Sequence, residues 1–150
     1  MLFLCTVFFV NLCSCSKKNA SEKYRVKFED CLINENQVEL RKIFDFEFDR
    51  AYVFKDAYLD GISFCKKYNL DLNIDEVKET YHEEIRRIVF VDKAGNFIFE
   101  FQYTSGKNLI PQEEGMIVYP TTVVKRTMDT KISNRYIIFE FLDVKAEDYY

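Results

Sequence analysis

The 150-residue chain contains no tryptophan, one histidine, two prolines and four glycines. Each shortage closes a class of explanation. So little Pro and Gly excludes collagen-like, low-complexity and disordered chains. The single histidine, His82, sits between Tyr81 and the pair Glu83-Glu84. It builds neither a Ser-His-Asp constellation nor an HExxH zinc motif, and reads as a solvated surface group. There is no Gly-x-Ser-x-Gly elbow, no GxGxxG and no Walker loop, so serine-hydrolase chemistry and nucleotide cofactors have no support. No CxxC or Cys-His spacing occurs, which disfavours zinc. A surplus of cations is missing too: 21 Lys and Arg stand against 25 Asp and Glu, for a formal charge of -4. The cations come in scattered pairs (Lys17-Lys18, Arg41-Lys42, Lys66-Lys67, Arg86-Arg87, Lys125-Arg126), so a nucleic-acid partner is excluded. No cofactor is expected, and the chain reads as a non-enzyme.

What is present is a packed core rich in rings. Hydrophobic residues make up 48% and aromatic ones 17%, with 15 Phe and 10 Tyr. Rings pack well on a pleated surface, so a strand-rich interior is expected. The length matches about one domain.

Met1 to Cys15 carries no charged side chain, and its polar residues are Thr6, Asn11 and Ser14; the composition turns charged at Lys17. A membrane-spanning helix needs about 20 apolar residues, so this run matches the apolar region of a signal peptide instead. Its end, Leu12-Cys13-Ser14-Cys15, resembles the lipobox of bacterial lipoproteins. That resemblance implies that residues 1–14 are a signal peptide. Cys15 becomes the new N-terminus and carries fatty acyl chains such as palmitate. Cys13 suits the role less well, because Leu12 would stand where the peptidase needs a small side chain. Residues 15–24 then form a lipidated tether and residues 25–150 one domain, held at the cell envelope and facing the periplasm or exterior. The competing reading makes residues 1–15 a buried strand or helix of the domain. Under export, Cys31 and Cys65 sit in an oxidising compartment and either form one disulfide or remain two separate thiols.

Periodicity points to an α+β unit. Val38, Leu40, Ile43 and Phe44 form a helical stripe over Asn34–Phe44. Phe44-Asp-Phe-Glu-Phe-Asp alternates strictly and leads into a strand over Asp49–Phe54, its acids facing water. Tyr58, Ile62 and Cys65 predict a helix over Tyr58–Tyr68, stopped by Asn69. Ile74, Val77, Tyr81, Ile85 and Ile88 fall on one helical face, with Asn73 and Glu76 as a capping box. A hairpin joins Ile88–Val91 to Phe97–Tyr103 through Gly95. Thr104–Gly115 reads as a loop, and Met116–Thr127 and Tyr136–Leu142 read as strands, Pro120 placing the first at an edge or bulge. The expected architecture is an antiparallel sheet of about four strands with two or three short helices on one face. The Phe44–Phe54 and Ile88–Phe101 segments, in this order, also resemble those of a broad group of small uncharacterised bacterial lipoproteins. Phe48 stands where that group shows Trp, and the resemblance implies no activity.

Two patterns hint at chemistry and fall short of it. Asp45, Glu47 and Asp49 could pair as glycosidase carboxylates, but alternation puts them on a wet face. Asp71-Leu-Asn73-Ile-Asp75 matches the opening of a calcium loop. The sixth position is Glu76 instead of Gly, and the twelfth is His82 where a bidentate Glu belongs. Two function classes follow. The first is a membrane-anchored, exported lipoprotein with a non-enzymatic binding domain, attached through lipid on Cys15 and recognising a protein or envelope component, with a basic protein as the fitting partner. The alternative is a small-ligand-binding or weakly hydrolytic envelope protein with a pocket lined by Phe97, Phe99, Phe101, Tyr103 and Tyr119.

Overall fold

The fold begins from residues that favour strands. A computed structural model describes the backbone of residues 8–82, 85–104, 109–111, 115–127 and 137–142, and their side chains from residue 20 on, except 109–111. Its elements are α1 (Phe8–Glu35), β1 (Gln37–Glu39), α2 (Leu40–Ile43), β2 (Arg50–Val53), α3 (Gly61–Tyr68) and β3 (Ile85–Val91). They continue with β4 (Phe97–Thr104), β5 (Leu109–Pro111), β6 (Met116–Val118), β7 (Val123–Arg126) and β8 (Ile137–Leu142). The class is α+β, as expected. Among the described residues the strands number eight, in two sheets where the sequence pattern suggested one. The central sheet runs β4-β3-β2-β6 and is antiparallel throughout. The outer sheet runs β1-β7-β8-β5, with β5 parallel to β8.

Alternation along the central strands divides their side chains between two cores. Ala51, Val53, Ile88, Phe90 and Phe101 join one cluster with Tyr24, Phe28 and Leu32 of α1 and with Val124, Ile137 and Phe139 of the outer sheet. Tyr52, Val89 and Val91 point the other way and pack with Phe54, Phe64, Tyr68, Ile74 and Val77. Helices therefore cover both faces of the central sheet.

In α1, Tyr24, Phe28 and Leu32 recur every four residues and present one buried stripe. The helix stops where Asn36 takes a φ of 60°, the left-handed conformation that Asn tolerates. Tyr24 is 7% exposed, and Ser21 Oγ already donates to Glu100 O at 3.3 Å, so residues 21–24 pack against the rest of the domain. Leu12–Cys15 belongs to the backbone of α1, and the side chains there lie outside the described residues. Among the described residues no helix is long and apolar enough to cross a membrane.

The Asn34–Phe44 helix breaks into the end of α1, then β1, then the single turn α2. Non-local pairing overrides the local stripe: Val38 lies opposite Val124 of β7, and Leu40 N donates to Thr122 O at 3.0 Å. The strand expected over Asp49–Phe54 is present as β2, and the helix expected over Tyr58–Tyr68 is present as α3 but starts at Gly61. Asp60 caps α3 by accepting from Ser63 N at 2.7 Å, and Asn69 closes it with a φ of 52°. Phe44, Phe46 and Phe48 surround Phe90 with centroids 4.5, 5.2 and 4.8 Å away. Asp45 and Glu47 between them face solvent.

The helix expected from Asn73 is absent. Residues 73–82 run as an irregular strap instead. Their backbone groups find partners elsewhere: Asn73 N donates to Gly95 O, Phe97 N to Asn73 O, Gly61 N to Val77 O and Thr80 N to Tyr58 O. With those groups satisfied by neighbours, the helical i to i−4 bonds have no role. Gly61 permits the closest approach, since a Cβ there would lie 2.0 Å from Ile74 O. The hairpin is present, with Gly95 at φ 84°. Gly115 N donates to Val53 O at 2.9 Å, ahead of β6. The expected long strand over Met116–Thr127 is cut at Pro120 by a turn in which Thr122 N donates to Tyr119 O at 2.9 Å. Its halves, β6 and β7, serve different sheets.

Candidate functional site

A buried arginine organises one cleft. Ile85, Arg87, Val89 and Val91 share one side of β3, and Arg87 is the charged member of that row, its side chain 1% exposed. Nη1 donates to Leu59 O at 2.9 Å and Nη2 to Lys78 O at 2.5 Å; Nε lies 3.0 Å from Glu100 Oε1 of β4. One guanidinium thus ties β3, the α3 approach, the strap and β4 together. Burial pulls its pKa below the ordinary arginine value, against the opposing pull of Glu100. A charge so placed is tolerated only with its partners in position.

Beside it opens a cleft of about 780 Å³. One wall is the turn of α1 bearing Ser21 and Glu22, another is the strap from Glu76 to His82, and the floor is β4. Among the described residues four carboxylates line it (Glu22, Glu76, Glu79, Glu100) against two cations, Lys78 and the buried Arg87. Glu22 also pairs with Arg25 at 2.6 Å, and Lys78 Nζ donates to Asp75 O at 2.6 Å. Half-buried Ile98 and Phe99 supply apolar surface. Tyr81 stands at the rim 86% exposed, and its hydroxyl donates to Glu79 at 3.2 Å, which raises the phenol pKa. His82 is also exposed.

Of the pocket residues named from the sequence, Phe97, Phe99 and Tyr103 line this cleft. Phe101 is 1% exposed and stacks on Phe28 at 5.9 Å. Tyr119 lies in the β6–β7 turn, 48% exposed, and is not part of the cleft lining. The row is divided by a bulge: Phe90 lies opposite Phe99 and Val91 opposite Phe97, leaving Ile98 as the extra residue. Phe97 consequently packs with the second cluster and Phe99, Phe101 and Tyr103 with the first. Cys31 and Cys65 pack against different clusters as free thiols, so the cross-link left open by the sequence is not formed here. Burial pushes both thiol pKa values up.

The alternating carboxylates do not converge on a catalytic pair. Asp45 accepts from the Tyr24 hydroxyl and from Lys23 Nζ at 3.0 Å, and these bonds hold its pKa down to about 2. Asp49 pairs with Arg50 at 2.8 Å. A second tie repeats the first: Asp56 accepts from the Tyr68 hydroxyl and from Lys67 Nζ at 2.6 Å. Burial and the adjacent Asp push each tyrosine up to about 12. Beside Asp45 a smaller groove of about 520 Å³ lies between Arg41, Phe46, Phe48 and Pro120. Among the described residues no group of three or more His, Cys, Asp or Glu side chains could hold a metal ion, the Asp71–Asp75 run included.

Sequence reasoning missed Arg87 and the strap. The signal available was an arginine in register with Val89 and Val91, on a strand face that is otherwise apolar. No protein-family model, curated protein or solved structure matches this chain.

Proposed function

We propose that this chain is a non-enzymatic binding domain, exported and held at a bacterial envelope membrane by acyl chains on Cys15, that receives a basic segment of a partner protein in the β4 cleft. The observation that carries the binding role is the cleft itself: an open, partly apolar trough with four carboxylates along it and an exposed tyrosine at its rim. Such a surface steers a cationic partner and loses affinity as salt screens it. The anchoring half of the reading rests on the Leu12–Cys15 lipobox resemblance and the abrupt charge at Lys17.

Calorimetric titration of the protein with a lysine-rich peptide tests the first half. Binding at about 0.05 M salt that weakens roughly tenfold at about 0.5 M supports it. Tighter or unchanged binding in high salt counts against it. The intact mass of the full-length chain, extracted from bacterial membranes, tests the second half. A mass of residues 15–150 plus acyl chains, lost in Cys15→Ala, is the expected result. Ile98 and Phe99 in the cleft wall favour a second reading, an uncharged amphiphile as ligand, which would bind with no salt dependence.

A further inference from the structure

Among the described residues β4 is the outermost strand of the central sheet, with β3 on one side; on the other, its first residue Phe97 donates N–H to Asn73 O of the strap, and the edge beyond has no strand neighbour. The backbone directions along it are settled by its neighbours. Phe54 N donates to Arg87 O and Asp49 N to Val91 O, so Arg87, Val89 and Val91 turn their backbone groups toward the β2 side. Ile88 and Phe90 then turn toward β4, where they face Phe101 and Phe99. The residues between, Glu100, Gln102 and Thr104, aim their N–H and C=O away from the sheet. Ser21 Oγ donates to Glu100 O at 3.3 Å, which agrees with that direction and occupies one acceptor. Among the described residues no backbone hydrogen bond takes up the outward groups of Gln102 or Thr104. All three outward residues line the acidic cleft.

An open strand edge is a template for another strand. A second copy of β4 would bring two sets of Glu22, Glu79 and Glu100 together, so like charge opposes self-pairing; a cationic segment is the complement. We propose that the partner's basic segment binds in extended form, pairing backbone to backbone with Gln102 and Thr104 as a fifth strand of the central sheet. This rests on the binding role proposed for the cleft and specifies how recognition is achieved: main-chain bonds give affinity, and the carboxylates select cations at alternate positions.

The test uses the full chain and a short, end-blocked peptide alternating lysine and valine. Two derivatives are N-methylated, one on every lysine nitrogen and one on every valine nitrogen. Each loses the donors of one strand edge only. The expected result is that one derivative binds about tenfold or more weakly while the other stays within about twofold of the parent. Equal responses of the two derivatives overturn strand addition and leave the cleft reading intact. Failure of the parent peptide to bind overturns both. Gln102→Pro removes an outward N–H and spares the bonds to β3, and should weaken the parent peptide by about tenfold with the far-UV spectrum unchanged. A dimer in sedimentation that Gln102→Pro abolishes, with no peptide binding, overturns the proposal in favour of a second copy of this chain.

Discussion

The two faces of the central sheet are held by different means. On the face toward α1, Phe28, Phe44, Phe90, Phe101 and Phe139 pack ring against ring, with centroid separations such as 4.5 Å for Phe44–Phe90 and 5.1 Å for Phe28–Phe139. The opposite face has a smaller ring pair, Phe54 stacked on Phe64 at 3.6 Å. Its remaining cover is the strap, fastened by backbone hydrogen bonds and by Arg87. One face depends on side-chain volume, the other on where main-chain groups and one cation are placed. The same surface-level tie, a tyrosine and its preceding lysine on one aspartate, occurs once on each side.

Substitutions can break that contrast. Phe28→Ala should cost the most, about 3–5 kcal/mol in urea unfolding, because it leaves a cavity among Phe44, Phe101 and Phe139. Arg87→Met should cost about 3 kcal/mol, since Glu100 is left beside an apolar side chain; adding Glu100→Gln should recover part of the loss. A double-mutant cycle measures that recovery, and its absence would mean the cation does not fasten this face through Glu100. Gly61→Ala should cost about 1–3 kcal/mol by driving a methyl into Ile74 O, with amide exchange accelerating first at Val77 and Thr80.

The smallest effect is acidic. Asp45 is lowered by its Tyr24 and Lys23 bonds. Asp56 is lowered although burial opposes it, because Lys67 and Tyr68 outweigh that penalty. A carboxylate depressed below its ordinary 3.8 stabilises the fold above that value and ceases to do so as pH falls through the folded pKa. The melting temperature should therefore hold steady from neutrality to about pH 5 and decline from about pH 4 to about pH 2. Asp45→Asn and Asp56→Asn should each flatten part of that decline. Equal flattening would show that the two ties contribute alike on the two faces.

Legibility in the sequence followed the same division. The β3–β4 hairpin, α3 with its Asn69 end, and the outward acids of Phe44–Asp49 were readable because side-chain type and local turn chemistry decide them. The strap was not, because Ile74 and Val77 satisfy a helical spacing equally well in an extended run whose bonds go to Gly61 and Gly95. The outer sheet was missed for a related reason: Pro120 and Thr122 form a turn that sends β6 and β7 to different sheets, and partner choice leaves no periodic trace. The cleft was half readable. Phe97, Phe99 and Tyr103, named from the alternation, lie in its lining, while its acidic wall depends on where the strap lies.

The bulge at Phe90 and Val91 has a consequence for how the molecule comes apart. Because Ile98 is the extra residue, β4 contributes Phe97 to one core and Phe99, Phe101 and Tyr103 to the other. Its neighbour β3 is buried continuously from Arg87 to Val91, with side chains committed to both sides. Neither core can be peeled away without pulling on a strand that the other holds. Unfolding of the two cores is thereby coupled, which keeps the ring-rich interior, adhesive if bared alone, from being exposed one core at a time.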